Sequence, residues 1–426
     1  MSARTIRLLG GLLLAAALLA LLALLLYQNP VVQEQVDYRV SVLRADIKYA
    51  LSPPEQAVFT PDPTLAAVVD ATLSAFTPSP SPTETAGPTA APSITSSPTL
   101  EPTPLPASTI LAGIRHEYQK WNNCGPANLS MALSYWDWQG DQRPIAEFTK
   151  PNPRDKNVMP YELTAFIEQE TDLRAVNRVG GTLTMLKQFI SAGFPVIVEK
   201  GFEGAGFDGW MGHYEVVSGY DDETRQFTVQ DSYIMADLPI SYVDMEQYWR
   251  HFNYTFIVIF PPEREQDVMA ILGPHADETT NFQLAAKKAS DEIFQLTGRD
   301  QYFAWFNRGT NLASLQDYAG AANAYDEAYS IYAQLDPGER PWRILWYQTG
   351  PYRAYLYSGR SGDVISLATQ TLANMSEPVL EESYYWRGLA REAAGDLQGA
   401  IADLNTALNY HPDWQPALSQ LQRIQA

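Results

Sequence analysis

The chain carries one cysteine, Cys124, and five histidines in 426 residues. A single thiol excludes any intramolecular disulfide and any zinc site built from several cysteines. Basic residues are scarce as well. Lys and Arg number 29 against 49 Asp and Glu, a formal net charge of −20. A surface of that sign repels polyanions, so no nucleic acid is expected as a partner, and no polybasic contact with lipid. No Lys or Arg occurs between Lys48 and Arg115. No ATP-binding motif is present, and no residue pattern calls for a cofactor or a metal.

The 46% hydrophobic content is enough for two or three domains with real cores. Leu8 to Leu26 is an unbroken run of Leu, Ala and Gly, long enough as a helix to span roughly 28 Å, close to a bilayer's hydrocarbon thickness. Arg4 and Arg7 precede it without an acidic residue. This predicts an uncleaved single-span anchor over residues 1–29 with a cytoplasmic N-terminus and all else extracytoplasmic. The competing expectation is a signal peptide and a secreted protein. Val36, Val40, Leu43, Ile47 and Leu51 then recur at helical spacing, predicting a juxtamembrane helix over 30–51, either self-associating or lying on the bilayer. Pro, Thr and Ser dominate from 52 to 110, which predicts a disordered stalk that makes no contact with the folded part.

From about 111 to 265 helix signals precede strand signals, the pattern of an α+β domain with a largely antiparallel sheet. Within it, Gln119-Lys120-Trp121-Asn122-Asn123-Cys124-Gly125-Pro126-Ala127 places the thiol where a loop becomes a helix. The helix dipole and free N–H groups at that end favour a thiolate. Gln119 and the Cys124 N–H are suited to an oxyanion hole. Gly212-His213-Tyr214 opens a strand, and a tight turn at 221–224 would pair Tyr220 with Arg225 and bring Asp231 beside His213. An Asp there fixes the imidazole tautomer and stabilises its cation. His116 lacks a strand and a following carboxylate. His251, His275 and His411 read as surface or packing residues. Asn128-Leu129-Ser130 reads as a glycan sequon caught in a helix, without a role.

These elements, together with Thr182 to Lys187 running into Gly193-Phe194-Pro195-Val196-Ile197-Val198 and with Gln230-Asp231-Ser232, resemble the papain-like, bacteriocin-processing (C-thirty-nine-like) cysteine peptidases over about 114–262. The resemblance implies Cys124 as nucleophile, His213 as general base and acid, Asp231 as its orienter and Gln119 in the oxyanion hole. The Asp-Pro common in that family is Asp231-Ser232 here.

Residues 278–426 are all helical in pattern. Trp305, Gly309, Asp317-Tyr318, Ala321, Tyr325 and Ala328 match Tyr384, Gly388, Asp396-Leu397, Ala400, Leu404 and Ala407 at equal internal spacing. This resembles the tetratricopeptide repeat, which implies a groove for a protein partner. The leading expectation is a membrane-anchored extracytoplasmic cysteine peptidase with a peptide or protein substrate. A catalytically idle adaptor and a thiol acyl transferase or cell-wall amidase are the alternatives.

Overall fold

The computed structural model describes residues 3–62, 104–204 and 209–426. Helix α1 (Ala3–Tyr27) is followed at once by α2 (Pro30–Leu51). Asn29 and Pro30 encode the break. The Asn29 side chain accepts from the Val31 N–H at 3.0 Å, and proline suits the first helical turn. Among the described residues no single helix is long and apolar enough to cross a membrane. Gly11–Tyr27 and Val31–Leu51 meet that test only together, bent by 104°.

The stalk expected over 52–110 lies, for residues 63–103, outside the described residues. Its two flanks are not stalk. Phe59 is buried against Tyr329 and Tyr355, Arg340 donates to the Glu55 carbonyl at 2.8 Å, and the Asp62 N–H donates to Asp363 at 3.0 Å. At the other end β1 (Ser108–Ile110) joins the main sheet. One buried phenylalanine and a strand's worth of backbone hydrogen bonds outweigh the local proline-rich composition at both flanks.

The sheet holds β2 (Arg174–Arg178), β3 (Val196–Phe202), β4 (Met211–Asp221), β5 (Gln226–Gln230), β6 (Leu238–Ser241) and β7 (Phe256–Phe260) in the order β2-β7-β3-β4-β5-β6, every pair antiparallel. β1 pairs with the far end of β4. Helices cover both faces. α3 (Cys124–Ser134), α4 (Gln142–Thr149) and α5 (Pro160–Glu170) pack on the face of Ile197, Tyr214 and Val216. α6 (Leu183–Ser191), α7 (Tyr242–Arg250) and α8 (Glu265–Leu272) pack on the face of Val196, Val198 and Val217. With both faces covered, β3 and β7 are buried along their whole length. That is why β7 and the first half of β3 read as continuous apolar runs rather than alternating ones, while Glu199 and Lys200 in the second half of β3 are buried charges.

The C-terminal unit is helical: α9 (Glu278–Ile293), α10 (Gly298–Ser314), α11 (Tyr318–Gln334), α12 (Gly350–Tyr357), α13 (Ser361–Asn374), α14 (Glu381–Ala393), α15 (Leu397–Tyr410) and α16 (Gln415–Gln425). The α10–α11 and α14–α15 hairpins share their local chemistry. Asp317 and Asp396 each accept an N-cap hydrogen bond at 2.9 Å, from Gly320 and Gly399. Gly309 and Gly388 face Tyr325 and Leu404 so closely that a methyl group would meet them at 2.9 and 3.2 Å.

This unit is fused to the sheet domain. Phe303 stacks on the buried His251 at 3.9 Å, and Asn311 and Asn253 exchange amide hydrogen bonds at 2.7 and 3.1 Å. Trp210 and Phe252 belong to the same buried cluster as Tyr302 and Tyr347.

Candidate active site

Helix α3 begins at Cys124 itself, so the thiol lies at the helix N-terminus and is half-buried. The loop before it is stitched by two side chains. Gln142 accepts from the Lys120 N–H (2.7 Å) and from Asn123 (3.0 Å), and donates to Glu117 and the Tyr118 carbonyl at 2.8 Å each. Lys150 donates to the Asn122 carbonyl (2.8 Å) and the Asn123 side chain (3.0 Å). These bonds hold Asn122 in a left-handed turn, φ 52°, that delivers Cys124.

His213 lies two residues into β4, buried, opposite Lys200 of β3. Its Nε2 is 3.3 Å from Asp231 Oδ1. The remaining ring nitrogen, Nδ1, is the one left to face the Cys124 thiol, with which His213 interacts electrostatically. Asp231 sits just past the end of β5, wholly buried, and its Oδ1 also accepts from the Tyr233 and Ile234 N–H groups at 2.6 and 2.8 Å. The hairpin register differs from the expectation: Tyr220 pairs with Phe227, not with Arg225. Asp221 accepts from the Glu223 and Thr224 N–H groups and lengthens the turn, and Arg225 turns with φ 56°. A bulge between Val217 and Gly219 then shifts the ladder back, which leaves Asp231 beside His213.

Gln119 donates its backbone N–H to the Ser232 carbonyl at 2.8 Å, and its Oε1 accepts from Ser232 Oγ at 2.9 Å. With the oxygen held by Ser232, the amide Nε2 is the end of the side chain that this bond leaves unengaged. Asn128, dismissed on sequence as a stray sequon, is wholly buried at the centre of this arrangement. Its Nδ2, with two hydrogens to share, lies within hydrogen-bond distance of the Cys124 carbonyl (2.9 Å), the Tyr214 carbonyl (2.7 Å) and Ser232 Oγ (2.9 Å). It thereby ties α3 to β4 and to the segment after β5. Its separation of four residues from Cys124, one helical turn on the same face, is the signal that could have found it. His116 does not meet the thiol; its Nε2 is 2.8 Å from the Asp231 carbonyl.

The electrostatics favour an ion pair. Burial pushes the Cys124 thiol up, but the His213 hydrogen bond and charge outweigh it and leave it below its usual range. Burial opposes the imidazolium, yet the hydrogen bonds to Asp231 and Cys124 raise His213 to about 10. Burial likewise raises Asp231, and His213 with the two backbone N–H groups draws it well below the carboxylate range. His213, Glu215 and Asp231 lie close enough for their donor atoms to surround a cation. Each carboxylate already has a cationic partner, however: Lys200 is 2.9 Å from Glu215, and His213 faces Asp231. The cluster is a balanced pair of ion pairs.

Residues 112–256 match the model of the Peptidase_C39 like family. A crystal structure from Bacillus anthracis described as a C39-like peptidase is 18% identical, with a TM-score of 0.30, over 36% of this chain and 96% of that one. No curated protein matches the chain. The segment holding Gln119, Cys124, His213 and Asp231 is thus an α+β domain similar to the C39-like peptidases, followed by a helical C-terminal region.

Proposed function

We propose that the chain is a thiol hydrolase of papain-like mechanism that cleaves peptide or amide bonds. The convergence of Gln119, Cys124, His213 and Asp231 on one cleft carries this reading. The Cys124 thiolate attacks the substrate carbonyl carbon, and the oxyanion is received by Gln119 Nε2 and the Cys124 N–H. His213 gives its proton to the departing amine, leaving an acyl-thioester on Cys124. A water then loses its proton to His213 and releases the acid, which regenerates the thiolate. Asp231 holds the imidazole plane throughout. The test is cleavage of a peptide library by the purified full chain, with Cys124→Ala beside it. Turnover by the wild type that Cys124→Ala abolishes supports the reading; a Cys124 inert to iodoacetamide overturns it.

The anchor and the repeats belong to the same proposal. In this reading the whole apolar run Leu8 to Leu26 of α1, longer than the Gly11–Tyr27 stretch that alone falls short of a span, anchors the chain in a membrane with its N-terminus cytoplasmic. Supporting this, the helix is exposed from Gly11 to Tyr27 despite its Leu-rich composition, and Arg4 and Arg7 precede it. The 104° bend turns α2 across the axis of α1, and its outer stripe of Val40, Leu43, Ile47 and Leu51 is exposed, as suits a helix lying along the bilayer surface. The repeated α10–α11 and α14–α15 hairpins support a tetratricopeptide-like surface for a protein partner. Carbonate extraction of cell membranes tests the anchor: release of the chain into the supernatant refutes it.

A further inference from the structure

α2 crosses the molecule as an arch with two footings. On the sheet domain, Glu34 is 3.2 Å from Lys120, and Tyr38 packs edge-on to Trp121 with ring centres 6.0 Å apart. On the helical unit, Ser41 and Arg44 bond Glu377, Lys48 donates to the Met375 carbonyl at 2.7 Å, and Tyr49 packs on Trp342 at 5.4 Å. Between the footings α2 roofs a cavity of about 570 Å³ that reaches the oxyanion residue Gln119. That volume lies within the range of ligand pockets.

The opposite walls are Trp121, Met211, Tyr233 and Trp346. The cations at the cavity are already engaged: Lys120 by Glu34, Lys156 by Glu377 at 3.8 Å, and Arg343 by the Trp210 carbonyl at 2.9 Å. Asp46 adds a carboxylate on the α2 side. Aromatic and aliphatic side chains make the larger part of the remaining surface, interleaved with the neutral polar groups of Gln35, Gln119, Asn122 and Ser376, so an acidic ligand is disfavoured and a bulky apolar side chain carried on a polar peptide backbone is favoured.

We propose that α2 is a wall of the substrate site: the cavity receives a polypeptide segment whose bulky apolar side chain lies near the bond that Cys124 attacks. This rests on the thiol chemistry proposed above and adds its specificity. The helix next to the anchor, and the helical unit through Trp346, both shape what is cleaved.

The test compares two thiol reagents on the full chain in detergent, with Cys124 adduct formation followed by mass spectrometry. Iodoacetamide is too small to need a wall; a Phe-Ala fluoromethyl ketone is not. Ala45→Trp fills the cavity, and Val42→Trp does so from a more exposed position. Each is expected to lower the ratio of the peptidyl rate to the iodoacetamide rate about tenfold. Releasing both footings with Glu34→Lys and Arg44→Glu lowers it too. An unchanged ratio in both tryptophan variants overturns the wall. So does a ratio that rises when the footings are released, since α2 would then be an obstruction. A wild-type Cys124 silent to both reagents overturns the thiol chemistry itself, a different result from labelling by both at an unchanged ratio.

Discussion

At the scale of single residues, the proton on His213 decides the pH behaviour. The thiol lies below its usual range and the imidazole at about 10, so the reactive pair persists between them. Turnover is expected to rise with pH through the lowered thiol value and to fall near pH 10 as His213 loses its proton. His213 binds that proton more tightly folded than unfolded. Its contribution to stability is therefore complete below its unfolded value, about 6.5, and lost as pH rises through about 10. Asp231→Asn removes the partner that raises it, so the upper limb of the pH–rate profile moves toward neutral pH. An upper limb that stays near 10 in this variant would show that Asp231 does not act on His213. Ser232 governs the oxyanion side in the same way. Ser232→Ala frees the Gln119 amide to rotate, and kcat should fall about tenfold. Iodoacetamide labelling, which forms no oxyanion, should hold, and Ser232→Thr should restore turnover. Equal loss in both assays would make Ser232 merely structural.

At the scale of elements, the loop-to-helix entry at Cys124 and the strand at His213 could be read from the sequence because their signals are local. Pro126 favours a helix start, and Gly212 stands before a run with Tyr214, Val216 and Val217, residues that favour strand. The partners of those elements could not be read. β2 has only Ala175 and Val176 as apolar residues between two arginines, and β6 is four residues long with Pro239 between Leu238 and Ile240, so neither reads as a strand on its own. The register of the β4–β5 hairpin turned on one Asp221 side chain and one bulge, neither visible in an apolar pattern. At Gly212 the groups that approach closely are Phe252 and Tyr347. A methyl group at this position would meet them at 2.5 and 2.9 Å. Gly212→Ala should therefore tilt the start of β4, cost ~1–3 kcal/mol as an overpacked site, and disturb His213 beside it. Denaturant unfolding and Cys124 labelling measured together check this; unchanged stability with normal labelling would show that the ring pair gives way freely.

At the scale of the whole molecule, the sheet domain and the helical unit, separate modules by composition, share one buried cluster. The helical unit supplies Phe303 to His251 and Asn311 to Asn253, in the turn before β7, and Tyr347 to Gly212, beside His213 at the start of β4. Asn253 and Tyr254 both adopt left-handed backbone, φ 54° and 55°, to swing the chain from α7 into β7. Two consecutive non-glycine residues in that region are costly, of order 1–3 kcal/mol each, and persist only where surrounding contacts impose them. The Asn253–Asn311 amide exchange is such a contact, and it crosses from the sheet domain to α10. Asn311→Ala leaves a buried amide without its partner and should lower global stability by ~1–3 kcal/mol. Because the two units share one buried cluster, calorimetry on the full chain should show a single unfolding transition for both, moved down as a whole by Asn311→Ala. Two resolved transitions, with only the helical one responding, would mean that the units fold independently and that the helical unit is a tethered attachment, not a structural support of the strand carrying His213.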